Sequence, residues 1–438
     1  MRVQVNAAVV ALLCLAAARP AAGRQESAGA DLATRALEIE RLVFPHEAAE
    51  LLSGTILVAR GEQVLYRGRY GYANWELREP VNPSTRFGIG SITKAMTEIV
   101  VRSLAAEGRL DLDAPVDRYL DGFPAGPAGG KPTIRHLLVH RAGVPHRVTA
   151  DAEEATVLRP AAVVERVRAA GLLFEPGSRR QYSSAGYTVL ARVVEVVTGR
   201  PFADVLAERV FEPAGMRGAT EETGRGLMTG RAAPYLLGVD AGRLAVEAAP
   251  YKDLRFLTGA GSVYATADDL LRFMRALRAG VFGAELAAEM YGGDPGAWVG
   301  LAGRTGGYEA SVDLLPGADL TIVFLSNLRS ATNWQLRERL RTLLEGGTAE
   351  PIPLPPPVAP AFEDPAALLG DYGPAEIVLR DDQLYRGDSE FHPIAGNAYY
   401  IPLSGTRMRF RRDTNGVVDA LISIDGSGNE SVLPRTHR

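Results

Sequence analysis

The chain has 438 residues, 46% of them hydrophobic and 23% charged, with a net charge of −4. That length allows a large buried core in more than one folding unit, and the absence of a basic tract argues against a nucleic-acid partner. A single cysteine, Cys14, excludes a disulfide framework, so stability has to come from burial.

Residues 1–23 read as a secretory leader, with Arg2 as the charged start, an apolar stretch from Val5 to Ala18, and Ala21-Ala22-Gly23 as a small-residue cleavage site. Arg19-Pro20 interrupts the run, which is too short to span a bilayer comfortably. Cleavage is therefore expected rather than anchoring, and the protein is expected to be secreted or periplasmic, with no stable membrane span. Leu13 precedes Cys14 where a lipid-anchoring signal needs a small residue, so lipidation is not expected.

From residue 32 to 346 helix-like and strand-like stretches alternate. Gly54–Val58 and Gln63–Tyr70 form a hairpin, and a helix runs from Ser91 to about Glu107 with Ile92, Met96, Ile99, Val100 and Leu104 on one face, stopped by Gly108. Further helices are predicted at Ala161–Ala170, Ser184–Thr198, Phe202–Val210, Ala267–Leu277 and Thr332–Leu344, and strands at Val299–Ala302, Tyr308–Leu315 and Leu320–Leu325. Strands at both ends with helices between them predict an α+β unit, an antiparallel sheet flanked by helices and wrapped around a helical subdomain. Residues 347–361 carry a proline run that can hold neither element and reads as a semi-rigid spacer. Beyond it, residues 362–438 show short strands at Glu376–Leu379, Ala398–Ile401, Arg407–Phe410 and Val417–Ile424, a small all-β sheet or barrel.

The chemistry concentrates at three places. Ser91-Ile92-Thr93-Lys94 opens the helix that follows Phe87-Gly88-Ile89-Gly90, so a hydroxyl and an amine lie one helical turn apart on one face. The chain has only three lysines, Lys94, Lys131 and Lys252, which makes that spacing more telling. Serine is a weak nucleophile until a base takes its proton, and desolvation together with the positive end of the helix favours a neutral Lys94. The same residues also fit an N-cap followed by a solvated lysine. Tyr182-Ser183-Ser184 lies on a loop leading into a helix, where the phenol can either relay protons in a cleft or pack against the helix start. Gly303-Arg304-Thr305-Gly306-Gly307 stands near a strand start. Its glycines permit close backbone approach, Gly307 N–H can complete an oxyanion site with Ser91, and Arg304 can meet a substrate carboxylate, although the stretch alone also reads as a turn.

Taken in this order the three motifs resemble the serine β-lactamase and penicillin-binding-protein superfamily, in particular its class C β-lactamase-like esterases and peptidases. Supporting stretches are Ala105–Val116, Ile134–Gly143 and Gly259–Leu270. The resemblance covers about residues 35–345, and the tail resembles the small β-domain often appended to such enzymes. It implies that Ser91 is acylated, that Lys94 acts as its base partner, that Tyr182 relays protons, and that Ser91 and Gly307 hold the oxyanion, with Arg304, Thr305 and Ser184 contacting substrate. Two departures stand out: Ser184 where the second motif usually ends in asparagine, and Arg304 where the third usually starts with lysine or histidine. Both weaken the case for β-lactam hydrolysis more than the case for acyl transfer. The expected activity is that of an exported serine hydrolase cleaving an ester or a small peptide or D-amino-acid amide. A β-lactamase or D,D-carboxypeptidase is the alternative, and a non-catalytic penicillin-binding-like sensor the second.

No cofactor or metal is expected. His136 and His140 are four residues apart, but Leu137-Leu138-Val139 between them supplies no glutamate, and a structural role at a helix end fits better. No serine has glycines two positions away on both sides, which disfavours an α/β-hydrolase nucleophile elbow.

Overall fold

The computed structural model describes residues 22–437, apart from 151–152, 225–226, 241, 292, 361–363, 381–382, 388 and 427. The expected leader therefore lies outside the described residues except at its last two positions, where a helix, Ala22–Ala48, begins. Among the described residues no helix is long and apolar enough to cross a membrane.

The organising element is a five-stranded antiparallel sheet with strand order Val299–Thr305, Tyr308–Leu315, Leu320–Ser326, Gly54–Arg60, Gln63–Tyr70. N-terminal and C-terminal strands meet at its centre, where Leu57 pairs with Val323 and both are fully buried. Strands buried on both faces read as continuous apolar runs, as Leu320–Ser326 does. One face packs on the helices Ala22–Ala48 and Ala331–Leu344 through Ile39, Leu42, Ile322, Phe324, Leu336 and Leu340. The other carries the larger core, in which Ala310, Val312, Val323 and Leu325 meet the helices Ile92–Ala106 and Ala267–Arg278. A helical subdomain containing Pro160–Ala170, Ser184–Thr198 and Phe202–Leu206 packs on the far side of Ile92–Ala106. The helix from Phe202 runs on through wider turns to Ala214, past the expected end at Val210.

Sequence periodicity did not reveal the hairpin of Tyr235–Asp240 and Arg243–Ala248, which adds to Leu328–Arg329 in parallel. Its strands are charged, partly exposed and broken by Gly238, so they lack a clean alternation.

The tail is a closed eight-stranded antiparallel barrel from Gly370–Tyr372 to Glu430–His437, the first strand pairing with the last. Four of its strands, Gly370–Tyr372, Gln383–Arg386, Ser389–Ile394 and Glu430–His437, were not legible in sequence because they are very short or contain Pro393 or Pro434. The proline run is tied down at both ends rather than hanging free. Ile352 is buried in the second core, and Val358 bridges to Ile394. The barrel also abuts the start of Ala331–Leu344, where Ala331 N–H donates to the Pro402 carbonyl at 3.2 Å.

Candidate active site

A short strand, Phe87–Gly88, pairs with Val263–Ala265 and delivers the chain to Gly90, whose φ of +50° turns it sharply into the helix Ile92–Ala106. Ser91 is the N-cap of that helix but makes no capping hydrogen bond with its side chain, so its hydroxyl is left for other partners. Two are present. Lys94 Nζ lies 3.0 Å from Ser91 Oγ, and the Tyr182 hydroxyl lies 2.7 Å from the same atom.

Lys94 is 6% exposed and donates to the Ala260 carbonyl at 2.7 Å. Burial lowers its pKa from the ordinary 10.5 to about 7, so a large neutral fraction exists near neutrality. A solvated first-turn lysine, the alternative for this residue, does not describe it. The Tyr182 ring lies 4.9 Å from Lys94 Nζ, and burial raises the phenol pKa, with hydrogen bonds to Ser91 and Ser184 opposing.

Tyr182 is held from behind. Ser183 caps the helix Ser184–Thr198 by accepting the Gly186 N–H at 2.9 Å and donates to the Pro145 carbonyl at 2.8 Å. The imidazoles of His140 and His146 flank the phenol ring, with centroids 4.5 and 5.4 Å away. His140 Nδ1 accepts the Ser183 N–H, and His136 Nδ1 accepts the Thr133 N–H, each at the edge of a helix.

The third motif requires a correction of register. Gly307 does not approach Ser91: a methyl built on it would lie 2.3 Å from the Tyr235 nitrogen, because Gly307 packs on the second hairpin. The glycine that meets Ser91 is Gly303, where the same methyl would lie 2.0 Å from the Ile89 carbonyl oxygen and 2.5 Å from the Ser91 nitrogen. Gly90 faces it, 2.5 Å on the same measure from the Arg304 nitrogen. Gly306 and Gly307 are instead the two-residue turn closing on the Thr305–Tyr308 pair. The N–H groups of Thr305 and Gly303 then face the neighbouring strand, and those of Arg304 and Ala302 point outward from the sheet edge. The backbone N–H groups brought close together here are therefore those of Ser91 and Arg304. Two residues ahead of the close-approach glycine stands Leu301, which is apolar. Both stretches are glycine-bearing, and only the hairpin register separates them.

A cleft of about 530 Å³ runs from Ser91, Tyr182 and Ser184 across the edge strand to Arg329, Asn333 and Trp334. Thr305 lines it and is buried, as is Ser184. The Arg304 side chain is half exposed and paired with Glu309 at 3.2 Å. Arg329, which the sequence did not single out, lines the same end, and its buried Nε has no hydrogen-bond partner among the described residues. Burial and the nearby Arg304 lower its pKa. Arg337 also lines the cleft, but its guanidinium is taken by the fully buried Asp313 at 2.6 Å. Among the described residues, none of the barrel lines the cleft.

Glu221 was likewise missed. It is completely buried behind the Thr258–Ser262 turn, accepts the Ser262 hydroxyl at 2.8 Å, and burial pushes its pKa up to about 8. It braces the turn that presents the Ala260 carbonyl to Lys94.

An antiparallel sheet edge beside a helix-borne Ser-Lys pair, with a tyrosine closing over it, defines a serine hydrolase of the β-lactamase fold. The chain belongs to the Beta-lactamase family, which matches it over residues 39–345. It is 33% identical over 260 residues to esterase EstB of Burkholderia gladioli, covering 52% of this chain and 66% of that protein. To the D-aminopeptidase of Brucella anthropi it is 32% identical over 171 residues, covering 38% and 32%. These alignments span less than two thirds of either relative. The octameric penicillin-binding protein homologue of Pyrococcus abyssi shares the fold over 90% of this chain and 94% of its own, with a TM-score of 0.61 and 21% identity.

Proposed function

We propose that this chain is a serine hydrolase that forms an acyl-enzyme on Ser91 and cleaves an ester or a small peptide or D-amino-acid amide. The observation that carries the reading is the Ser91 hydroxyl held between Lys94 Nζ at 3.0 Å and the Tyr182 hydroxyl at 2.7 Å. As Ser91 Oγ attacks the carbonyl carbon, its proton passes to neutral Lys94. The carbonyl oxygen becomes an oxyanion facing the Ser91 and Arg304 N–H groups. Tyr182, in contact with Ser91 Oγ, is placed to hand a proton to the leaving alkoxide or amine. Water then attacks the acyl carbon by the reverse path, regenerating Ser91.

Ser184 is short, and Leu301, two residues ahead of Gly303, is uncharged, which favours ester and small-amide substrates over β-lactams. Arg304 and Arg329 at the far end of the cleft favour a substrate bearing a carboxylate there. The relatives support acyl transfer in general, an esterase and an aminopeptidase among them. Export to the periplasm or medium rests on the leader at residues 1–23, and N-terminal sequencing of the protein from fractionated cells tests it.

Fluorophosphonate labelling with peptide mapping tests the nucleophile. The label should sit on Ser91 and vanish in Ser91→Ala; labelling elsewhere or unchanged labelling defeats the reading. Parallel assays with nitrocefin and p-nitrophenyl butyrate separate the alternatives, since fast nitrocefin turnover would favour the β-lactamase. Stable penicilloylation without release would favour the sensor.

A further inference from the structure

Tyr182 belongs to no helix or strand; it ends the loop that follows Gly177, one residue before the N-cap of the helix Ser184–Thr198. Such a segment keeps its shape only through the partners its backbone finds. Both neighbours of the tyrosine find the same one. The Gln181 N–H donates to the His140 carbonyl at 2.9 Å, and the Ser183 N–H donates to His140 Nδ1 at 3.2 Å. The imidazole also packs on the Tyr182 ring, with centroids 4.5 Å apart and planes at 43°. One residue therefore holds the chain on either side of Tyr182 and supports the ring itself.

His140 is anchored in turn. It follows the short helix Ile134–Leu138, and its own N–H donates to the Leu137 carbonyl at 3.2 Å. Its ring packs at 5.1 Å on that of Tyr187, whose hydroxyl donates to the Leu138 carbonyl at 2.9 Å. The backbone here is strained: φ at His140 is +60°, a left-handed conformation that costs an L residue free energy. Such strain persists where the surroundings impose it, and here it accompanies a carbonyl and an imidazole that both meet the loop carrying the tyrosine. Burial, with Lys94, Arg180 and His146 nearby, lowers the imidazole pKa to about 4, so the accepting form is the one present at neutral pH.

We propose that His140 is the positioning residue for Tyr182, its carbonyl and Nδ1 gripping residues 181 and 183 so that the phenol hydroxyl stands on Ser91 Oγ before substrate arrives. This rests on the acyl-enzyme reading of Ser91 with Tyr182 as the donor to the leaving group. In that step the acyl C–O bond breaks and the departing oxygen keeps the bonding pair and takes the Tyr182 proton. The proton that Lys94 took from Ser91 makes good the loss. His140 exchanges no proton and is not among the described residues that line the cleft; it acts through the tyrosine.

The test uses two substrates with one acyl group, ethyl butyrate and p-nitrophenyl butyrate. Ethoxide has to be protonated as it leaves, whereas p-nitrophenolate departs as a stable anion. The ratio of their kcat/KM values, ethyl over p-nitrophenyl, therefore reads the proton transfer and cancels changes in acyl binding. Tyr182→Phe should lower the ratio, and His140→Ala should lower it about tenfold, as expected of a displaced general acid rather than a missing one. His140→Gly loses the same grip but takes the left-handed backbone freely, so it covers the case that the alanine variant folds poorly, and it should lower the ratio equally. His140→Asn tolerates that backbone, keeps an oxygen for the Ser183 N–H, and should restore most of the ratio. In the Tyr182→Phe background His140→Ala should lower the ratio no further. Histidine variants that slow both esters by one factor, an asparagine variant no better than alanine, or a further loss in the phenylalanine background each overturn the proposal. Fluorophosphonate labelling and the single Tyr182→Phe variant separate the failures. An unlabelled Ser91 in the wild type defeats the proposed function and this inference with it, and an unchanged ratio in Tyr182→Phe defeats the tyrosine's donor role and this inference. Normal labelling and a lowered ratio in Tyr182→Phe, with the wild-type ratio kept in the histidine variants, defeat only the assignment of His140.

Discussion

Lys94→Met removes the amine from a buried site and should separate its catalytic and electrostatic effects. In the unfolded chain a lysine keeps its proton up to about 10.5, whereas burial makes the folded Lys94 release it near 7. Between those values the unfolded state binds more protons than the folded one, so stability rises with pH. With a folded pKa of about 7, the gain between pH 6 and pH 8.5 comes to ~2 kcal/mol from this one group. Lys94→Met should lack that slope. Its absolute stability is a poorer guide, because the Ala260 carbonyl loses its partner at 2.7 Å, a cost of about 1–3 kcal/mol for a buried acceptor. Urea titrations of both proteins at several pH values, with the difference in unfolding free energy plotted against pH, read the slope. In the same proteins kcat/KM of the wild type should climb with pH through about 7 as the amine becomes neutral, and the variant should lose a hundredfold or more of the rate. Parallel stability curves for the two proteins, or a variant with near-native turnover, would refute both the buried neutral amine and its role as base.

Three other perturbations test separate parts of the site. Tyr182→Phe keeps the ring between His140 and His146 but removes the hydroxyl at 2.7 Å from Ser91, and steady-state assays should show kcat lower by about a hundredfold with an unchanged melting temperature. Gly303→Ala places a methyl against the Ser91 nitrogen and should abolish fluorophosphonate labelling while circular dichroism stays native; a variant that labels at the wild-type rate would show that the edge strand does not abut the nucleophile. Glu221→Gln replaces a carboxyl whose pKa burial raises to about 8. The wild type loses stability as pH rises from the ordinary carboxylate value toward 8, since only the unfolded state has released its proton there, so the glutamine variant should melt higher at pH 8 and by a much smaller margin at pH 5. Equal melting at both pH values would mean that the carboxyl is not held protonated.

The contact between Ser91 and Lys94 was legible in the sequence because it depends on one helical turn: the two are three residues apart, and a helix alone brings them together. The sheet was legible for a similar reason, since Leu57, Val323 and their neighbours form apolar runs that mark strands wherever they pair. Tyr182 is 91 residues from Ser91, so its motif made it a candidate, but only packing of the helix Ser184–Thr198 against Ile92–Ala106 put its hydroxyl on Ser91. The glycines at 303 and 307 look alike along the chain. Which of them meets Ser91 is set by a two-residue hairpin turn, and that register brings the Arg304 nitrogen, not that of Gly307, beside Gly90.

Charge gives the clearest division between the two. Sequence alone reports that Lys94, Glu221, Arg304, Arg329 and His146 carry ionisable groups. The tertiary fold decided that Lys94 and Glu221 lose water, that Arg337 is taken by Asp313 while Arg329 lines the cleft, and that His146 Nδ1 meets the start of the helix Ser184–Thr198. The physical reason is that helix periodicity acts between near neighbours in the chain. Desolvation and pairing of charges depend on groups far apart in sequence, which only the folded chain brings into contact.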